Sequence, residues 1–236
     1  MTNPESILES INHRPQIRAV VFDMDGLMLN TEDVFDIAGK QLLERRGLEM
    51  TDVIRHSMLG RRPVDAFNAL KLHTGITDRI EDLMCETREL FEAIAENSLA
   101  MMPGLHDVLE LIESLDLPRA VATSSPRAYM TPLLERFELL HRFHFTLTAE
   151  DVTHGKPHPE IYQMAASRLN VVPAEMLVLE DSETGTRAAH AAGAWIVSVP
   201  NRHTAVGDFS MSRLKIDSLL DERLHKLLRS YSCVNR

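Results

Sequence analysis

Only two cysteines, Cys85 and Cys233, occur in 236 residues. That is too few for a disulfide framework, so a reducing, cytoplasmic home is expected. Basic residues are in the minority: 25 Lys+Arg against 35 Asp+Glu give a formal charge of −10. That balance argues against nonspecific nucleic-acid binding, which needs a cationic face to displace counterions. A small anionic ligand stays open, because a few local cations or a metal ion can set the field of a pocket. No apolar run approaches the ~20 residues of a membrane helix. The opening MTNPESILESINHRPQ carries acids and lacks the apolar stretch of a signal peptide. There is no internal repeat and no low-complexity tract. What is present is a globular composition, 44% hydrophobic and 25% charged, long enough for one or two domains. The partner expected is a small molecule, not nucleic acid or a membrane, and a monomer is the default.

The run IRAVVF at 17–22 is short, apolar and β-branched, and it ends abruptly in DMDG. A strand buried in a parallel sheet looks like this before its loop. From Glu32 to about Asn97 the texture is helical. One helix is expected over 32–46 ahead of Gly47, another opens at Pro63, and a long one follows Asp78 with Ile80, Leu83, Met84, Leu90, Phe91 and Ile94 on roughly one face. Past Pro103-Gly104, helices over 105–115, 126–137, 159–169 and 184–192 alternate with strands over 119–123, 143–148, 176–179 and 195–199. Such alternation predicts βαβ units and a parallel sheet. The expected organisation is an α/β core over 15–29 and 101–236, with residues 30–100 inserted as a helical domain. Leu27–Thr31 and Ser98–Pro103 are the two crossings. Leu219–Leu228 predicts a final helix.

In open parallel sheets ligands bind beyond the carboxyl ends of the strands. There the sequence places Asp23, Asp25 and Gly26; Thr123, Ser124 and Ser125; Lys156 between Gly155 and Pro157; and Glu180, Asp181 and Ser182. Crowded carboxylates repel unless a cation joins them. Hard oxygen ligands favour Mg²⁺, which also shares substrate phosphates. Lys156 suits an anionic oxygen, and Thr123 with adjacent amides suits a phosphoryl group at a helix start. Asp23 and Asp25, two residues apart, point to one side of an extended segment. One can then attack phosphorus while the other exchanges a proton. Plainer readings stand beside these: Glu180-Asp181 or Thr123–Ser125 as helix caps, and Lys156 as a solvated side chain. His154 and His158 are four apart, but Gly155, Pro157 and Pro159 argue against a shared helical face, so solvated histidines are expected.

Four motifs in this order, DMDG at 23–26, Thr123-Ser124, Lys156-Pro157 and Glu180-Asp181 within LEDSETGTRAAHAAGA, resemble those of the haloacid dehalogenase-like hydrolase superfamily. The resemblance covers nearly the whole chain. It implies a Rossmann-like parallel-sheet core with helices on both faces and an all-α cap. It further implies that Asp23 is the nucleophile and a Mg²⁺ ligand, passing through an aspartyl-phosphate. Asp25 would be general acid and then base, lending its backbone carbonyl to the metal. Thr123, Ser124 and Lys156 would hold the phosphoryl group, Asp181 would bind the metal, and Glu180 would bind it directly or through another group.

Within the superfamily the sequence is similar to a subgroup of β-phosphoglucomutases and of phosphatases acting on small sugar phosphates or nucleotides. The mutases carry a histidine where Phe35 stands, and an arginine gripping the distal phosphate where Pro63 stands. Both departures favour hydrolysis over isomerisation. Arg61, and with it Asn30 and Thr31, is expected to face the substrate from the cap and hinge. A phosphoaspartate receiver module uses a similar Asp, Thr, Lys and acidic pair, but it would be about half as long and would lack both the cap and Asp25. A haloacid dehalogenase would need neither Asp25 nor a metal site.

Overall fold

The computed structural model describes residues 16–58 and 63–232. Strands β1 (Ala19–Phe22), β2 (Arg119–Ala122), β3 (Phe145–Leu147), β4 (Met176–Glu180), β5 (Trp195–Ser198) and β6 (Leu214–Lys215) form one sheet in the order β3-β2-β1-β4-β5-β6. Every pairing is parallel, with Val21 opposite both Ala120 and Val178.

Successive strand residues point to opposite faces, and here both faces are covered. Val20, Phe22, Leu177 and Leu179 point into one apolar layer. It is completed by helices α5 (Leu105–Ser114), α6 (Arg127–Arg136) and α9 (Glu222–Ser232), through side chains such as Leu109, Leu134 and Leu228. Ala19, Val21, Met176 and Val178 point the other way. They meet α7 (Glu160–Arg168) and α8 (Glu183–Ala192) through Ile161, Tyr162, Ala165, Ala188 and Ala189. Two-sided burial explains why β1 and β4 read as unbroken apolar runs and do not alternate.

Between β1 and α5 the described residues form four helices: α1 (Thr31–Glu44), α2 (Asp52–Met58), α3 (Pro63–Thr74) and α4 (Ile80–Ser98). They surround an apolar cluster of their own, with Leu42, Leu43, Ile54, Phe67, Leu70, Leu83 and Leu90 at its centre. This is an all-α layer inserted into a parallel α/β core. Phe91 and Ala95 of α4 belong to the sheet's own core, so the last turns of that helix dock the insert.

The chain crosses between the two parts twice, and the crossings lie side by side. Leu29 bridges Met101, and the Met102 N–H donates to Met28 O at 2.8 Å. The Asn30 side chain spans both crossings: its Nδ2 donates to Ser98 O at 3.1 Å and its Oδ1 accepts from the Ala100 N–H at 2.7 Å. Among the described residues no helix is long and apolar enough to cross a membrane.

Candidate active site

The strand order turns at β1: the chain runs outward to β2 and β3, then returns to add β4 on the other side. In such sheets the crevice opens where the order reverses. Asp23 directly follows β1 and still donates its N–H to Leu179 O at 3.0 Å. Glu180 ends the neighbouring β4 and Asp181 follows it. Carboxylate oxygens of Asp23, Glu180 and Asp181 lie within 4.8 Å of one another, and all three residues are buried.

One ammonium sits among these acids. Lys156 Nζ donates to Asp23 Oδ1 at 2.7 Å, to Glu180 Oε1 at 2.6 Å and to Ala122 O at 3.0 Å. Its side chain is 5% exposed. Burial works against this ammonium, yet Asp23 and Glu180 hold its pKa well above the usual lysine value. Burial also pushes the Asp23 carboxyl well above the ordinary carboxylate range, against the pull of Lys156 and with repulsion from Glu180 and Asp25 adding to it. Asp181 is raised by burial and then by Asp23, Glu180 and Glu32.

One ammonium, bonded to Asp23 and Glu180, thus faces three buried acids. The chemistry of this donor set fits a divalent metal ion, which would relieve the repulsion. The backbone is shaped to keep the acids close. Gly26 has a φ of 76°, and a Cβ there would lie 2.4 Å from Asp181 Oδ2. A Cβ on Gly185, in the first turn of α8, would lie 1.8 Å from Glu180 Oε1. The cap of α8 is Ser182, whose Oγ accepts from the Gly185 N–H at 3.0 Å. The acidic pair before it is therefore free of the capping role.

Glu180 has both oxygens engaged. Oε1 accepts from Lys156 and from the Tyr162 hydroxyl at 2.5 Å, while Oε2 accepts from Ser182 Oγ at 3.0 Å. The Lys156 ammonium also lies 5.0 Å from the centre of the Tyr162 ring. Asp181 Oδ2 accepts from Asn201 Nδ2 at 2.8 Å, and the same nitrogen reaches Gly26 O at 3.3 Å.

Asp25 is only half-buried and is directed toward the end of β2. Its Oδ2 accepts from Thr123 Oγ1 at 3.2 Å and from Ser125 Oγ at 2.6 Å; its Oδ1 accepts from the Tyr129 hydroxyl at 3.2 Å. Ser124 is exposed at the same strand end. The sequence expectation thus meets the structure as follows. Asp23, Glu180, Asp181 and Lys156 converge directly, and Thr123 joins them through Asp25. Thr31 is fully buried at the start of α1, and the Asn30 amide bonds across the two crossings. Arg61 lies outside the described residues.

Tyr129, Tyr162 and Asn201 also contribute and were not anticipated from the sequence. Asn201 was within reach, because it follows β5 and the rule that named the other strand ends applies to that strand too. Tyr129 and Tyr162 lie in the first turns of their helices and look there like ordinary packing residues.

The profile of the haloacid dehalogenase-like hydrolase family matches residues 20–199. The chain belongs to that family. It is 32% identical over 177 residues to the phosphorylated carbohydrates phosphatase of Thermotoga maritima, covering 75% of this chain and 82% of that protein. It is 31% identical over 190 residues to the validoxylamine A 7'-phosphate phosphatase of Streptomyces hygroscopicus subsp. limoneus, covering 80% of this chain and 88% of the relative. Among solved structures, CbbY from Rhodobacter sphaeroides in complex with phosphate superposes with a TM-score of 0.76 at 26% identity, covering 87% of this chain and 96% of that one.

Proposed function

We propose that this family member is a Mg²⁺-dependent phosphatase of small phosphomonoesters, working through an aspartyl-phosphate on Asp23. The observation that carries the proposal is the meeting of Asp23, Glu180 and Asp181, with Lys156 Nζ bonded to the first two, beside an Asp25 held by hydroxyls. Asp23 attacks phosphorus, and the bond to the leaving oxygen breaks as Asp25 delivers a proton to it. A water then yields its proton to Asp25 and attacks the same phosphorus, releasing phosphate and restoring the Asp23 carboxylate. Lys156 holds Asp23 in place and offsets charge gathering on the phosphoryl oxygens. Thr123 and Ser124 receive those oxygens.

Asp23, Asp181 and the Asp25 carbonyl would hold Mg²⁺, with Glu180 as an orienting neighbour whose oxygens are already engaged. The ion supplies charge neutralisation between nucleophile and phosphoryl group. Residues 30–100 act as a cap that screens the site from water. The relatives named for phosphorylated carbohydrates and for validoxylamine 7'-phosphate support a carbohydrate-like leaving group.

A panel of phosphorylated metabolites assayed for phosphate release tests this reading. Hydrolysis of at least one sugar phosphate or nucleotide is expected, abolished by EDTA and restored by Mg²⁺. No hydrolysis across the panel, or full activity in chelator, overturns it. Isomerisation is the rival chemistry, and Phe35 counts against it: its ring lies 4.4 Å from Phe91 and 6.0 Å from Tyr129, centre to centre, and it has no proton to give Asp25. With β-glucose 1-phosphate and a 1,6-bisphosphate primer, inorganic phosphate should outweigh glucose 6-phosphate.

A further inference from the structure

The segment 153–160, THGKPHPE, sends Lys156 inward and presents a second set of ligating groups outward. Gly155, Pro157 and Pro159 keep His154 and His158 off a common helix, but a turn brings them together by another route. The His158 N–H donates to Gly155 O at 3.1 Å, and the two rings lie with centres 4.6 Å apart, tilted by 38°. Glu160, the first residue of α7, reaches back over this turn. Its Oε1 accepts from the Thr153 N–H at 2.8 Å and its Oε2 from the His154 N–H at 2.9 Å. Oε2 is thereby fixed 3.0 Å from His154 Nδ1 and 3.7 Å from His158 Nδ1. One ligand atom from each of the three residues lies within 4.8 Å of the others.

We propose that His154, His158 and Glu160 form a binding site for a transition-metal ion of the Zn²⁺ class, on the outer face of the loop that delivers Lys156. Three features support it. Ligand atoms at ~2.0–2.2 Å from a tetrahedral ion stand about 3.4 Å apart, and the two separations from Glu160 fall on either side of that value. Two imidazoles with one carboxylate suit Zn²⁺, Ni²⁺ or Cu²⁺ and not Mg²⁺, so this site and the buried acids select different ions. The Thr153 and His154 N–H groups that donate to Glu160 are the outer contacts that orient a ligating carboxylate. The histidine side chains are 63% and 49% exposed, which lets an ion enter and leaves a position for water. An ion there would tie the first turn of α7 to both sides of the turn holding Lys156.

The test is calorimetric titration of the full-length, metal-free chain with ZnCl₂, repeated in an Asp181→Asn background so that the buried acids do not obscure the signal. With Mg²⁺ in excess to hold the buried acids, one Zn²⁺ per chain with micromolar affinity is expected in both. His154→Ala and His158→Ala should each weaken it at least tenfold, since loss of an outer contact alone costs ~10–100-fold. Both side chains are exposed, so each variant should melt like the parent without metal, while the rise in Tm on adding Zn²⁺ is lost. Absence of Zn²⁺ binding in the parent, binding unchanged in both histidine variants, or displacement by Mg²⁺ overturns the proposal. The titration needs no turnover, so its result stands apart from the phosphatase reading.

Discussion

Asp25 depends on three hydroxyls, and the one from Tyr129 is the least expected. The mutases of the subgroup place a histidine where this chain has Phe35, and here a tyrosine from the core helix α6 donates to Asp25. Its ring packs against Phe35 and Phe91, so aromatic packing aims the hydroxyl. Tyr129→Phe keeps that packing and removes one hydrogen bond to a carboxylate, worth ~1.5 kcal/mol or more. We expect about a tenfold lower kcat with a sugar phosphate, and a smaller loss with p-nitrophenyl phosphate, whose leaving group scarcely needs a proton. Equal losses with both substrates would reduce Tyr129 to a packing residue. Glu32 gives a second residue-scale prediction. Burial, then Asp25, Asp33 and Asp36, push its carboxyl from 4.5 up to about 7. The folded protein therefore holds a proton there that the unfolded chain has released, and stability falls as pH rises from ~4.5 to ~7. Glu32→Gln should lift the metal-free Tm at pH 8 and leave it nearly unchanged at pH 4.5, with up to about 3 kcal/mol at stake. Equal shifts at both pH values would contradict the assignment.

Elements are placed here by close approach as much as by apolar burial. The first turn of α8 comes near enough to the end of β4 that residue 185 has no room for a side chain beside Glu180. Gly185→Ala should displace Glu180, costing ~1–3 kcal/mol in stability as overpacking and lowering activity at least tenfold. Gly47→Ala, where a Cβ would meet nothing within 4 Å but φ is 68°, should cost stability without touching activity. Similar activity losses in the two variants would sink the argument. This constraint was invisible in the sequence, where Gly185 is one glycine in SETG and nothing marks it as facing Glu180. The strands β1 to β5 were legible because burial inside a parallel sheet demands compact apolar runs. β6 was not, because two residues, Leu214–Lys215, carry no period. α2 merged into a generally helical stretch, with Ile54 buried in the insert's cluster and Met58 packed against it.

At the scale of the whole molecule, the parallel sheet collects chemistry from far apart in the chain. Asp23 and Lys156 are 133 residues apart in sequence and 2.7 Å apart in space. The sequence reveals which strand ends carry acids, hydroxyls and an ammonium, because strand ends are where apolar runs stop. It does not reveal the supports that arrive sideways, Tyr162 from a covering helix and the Asn30 amide bonded across the crossings. Those depend on helix placement, which periodicity does not fix. Asn201 also accepts from the His203 N–H at 2.8 Å, and His203 Nε2 lies 2.7 Å from Asp33 Oδ1 in α1. One core loop therefore touches both the acid cluster and the first turn of the helical insert.

The central claim is that Asp23, held by Lys156, takes up phosphorus, and chemical trapping tests it most directly. The enzyme is quenched during turnover of a substrate found in the metabolite panel, treated with borohydride to reduce any acyl phosphate, digested, and analysed by mass spectrometry for the peptide containing residue 23. The account predicts conversion of Asp23 to homoserine only when substrate is present, with Asp25, Glu180 and Asp181 intact. Steady phosphate release with Asp23 unmodified, or conversion at a different carboxylate, would contradict it.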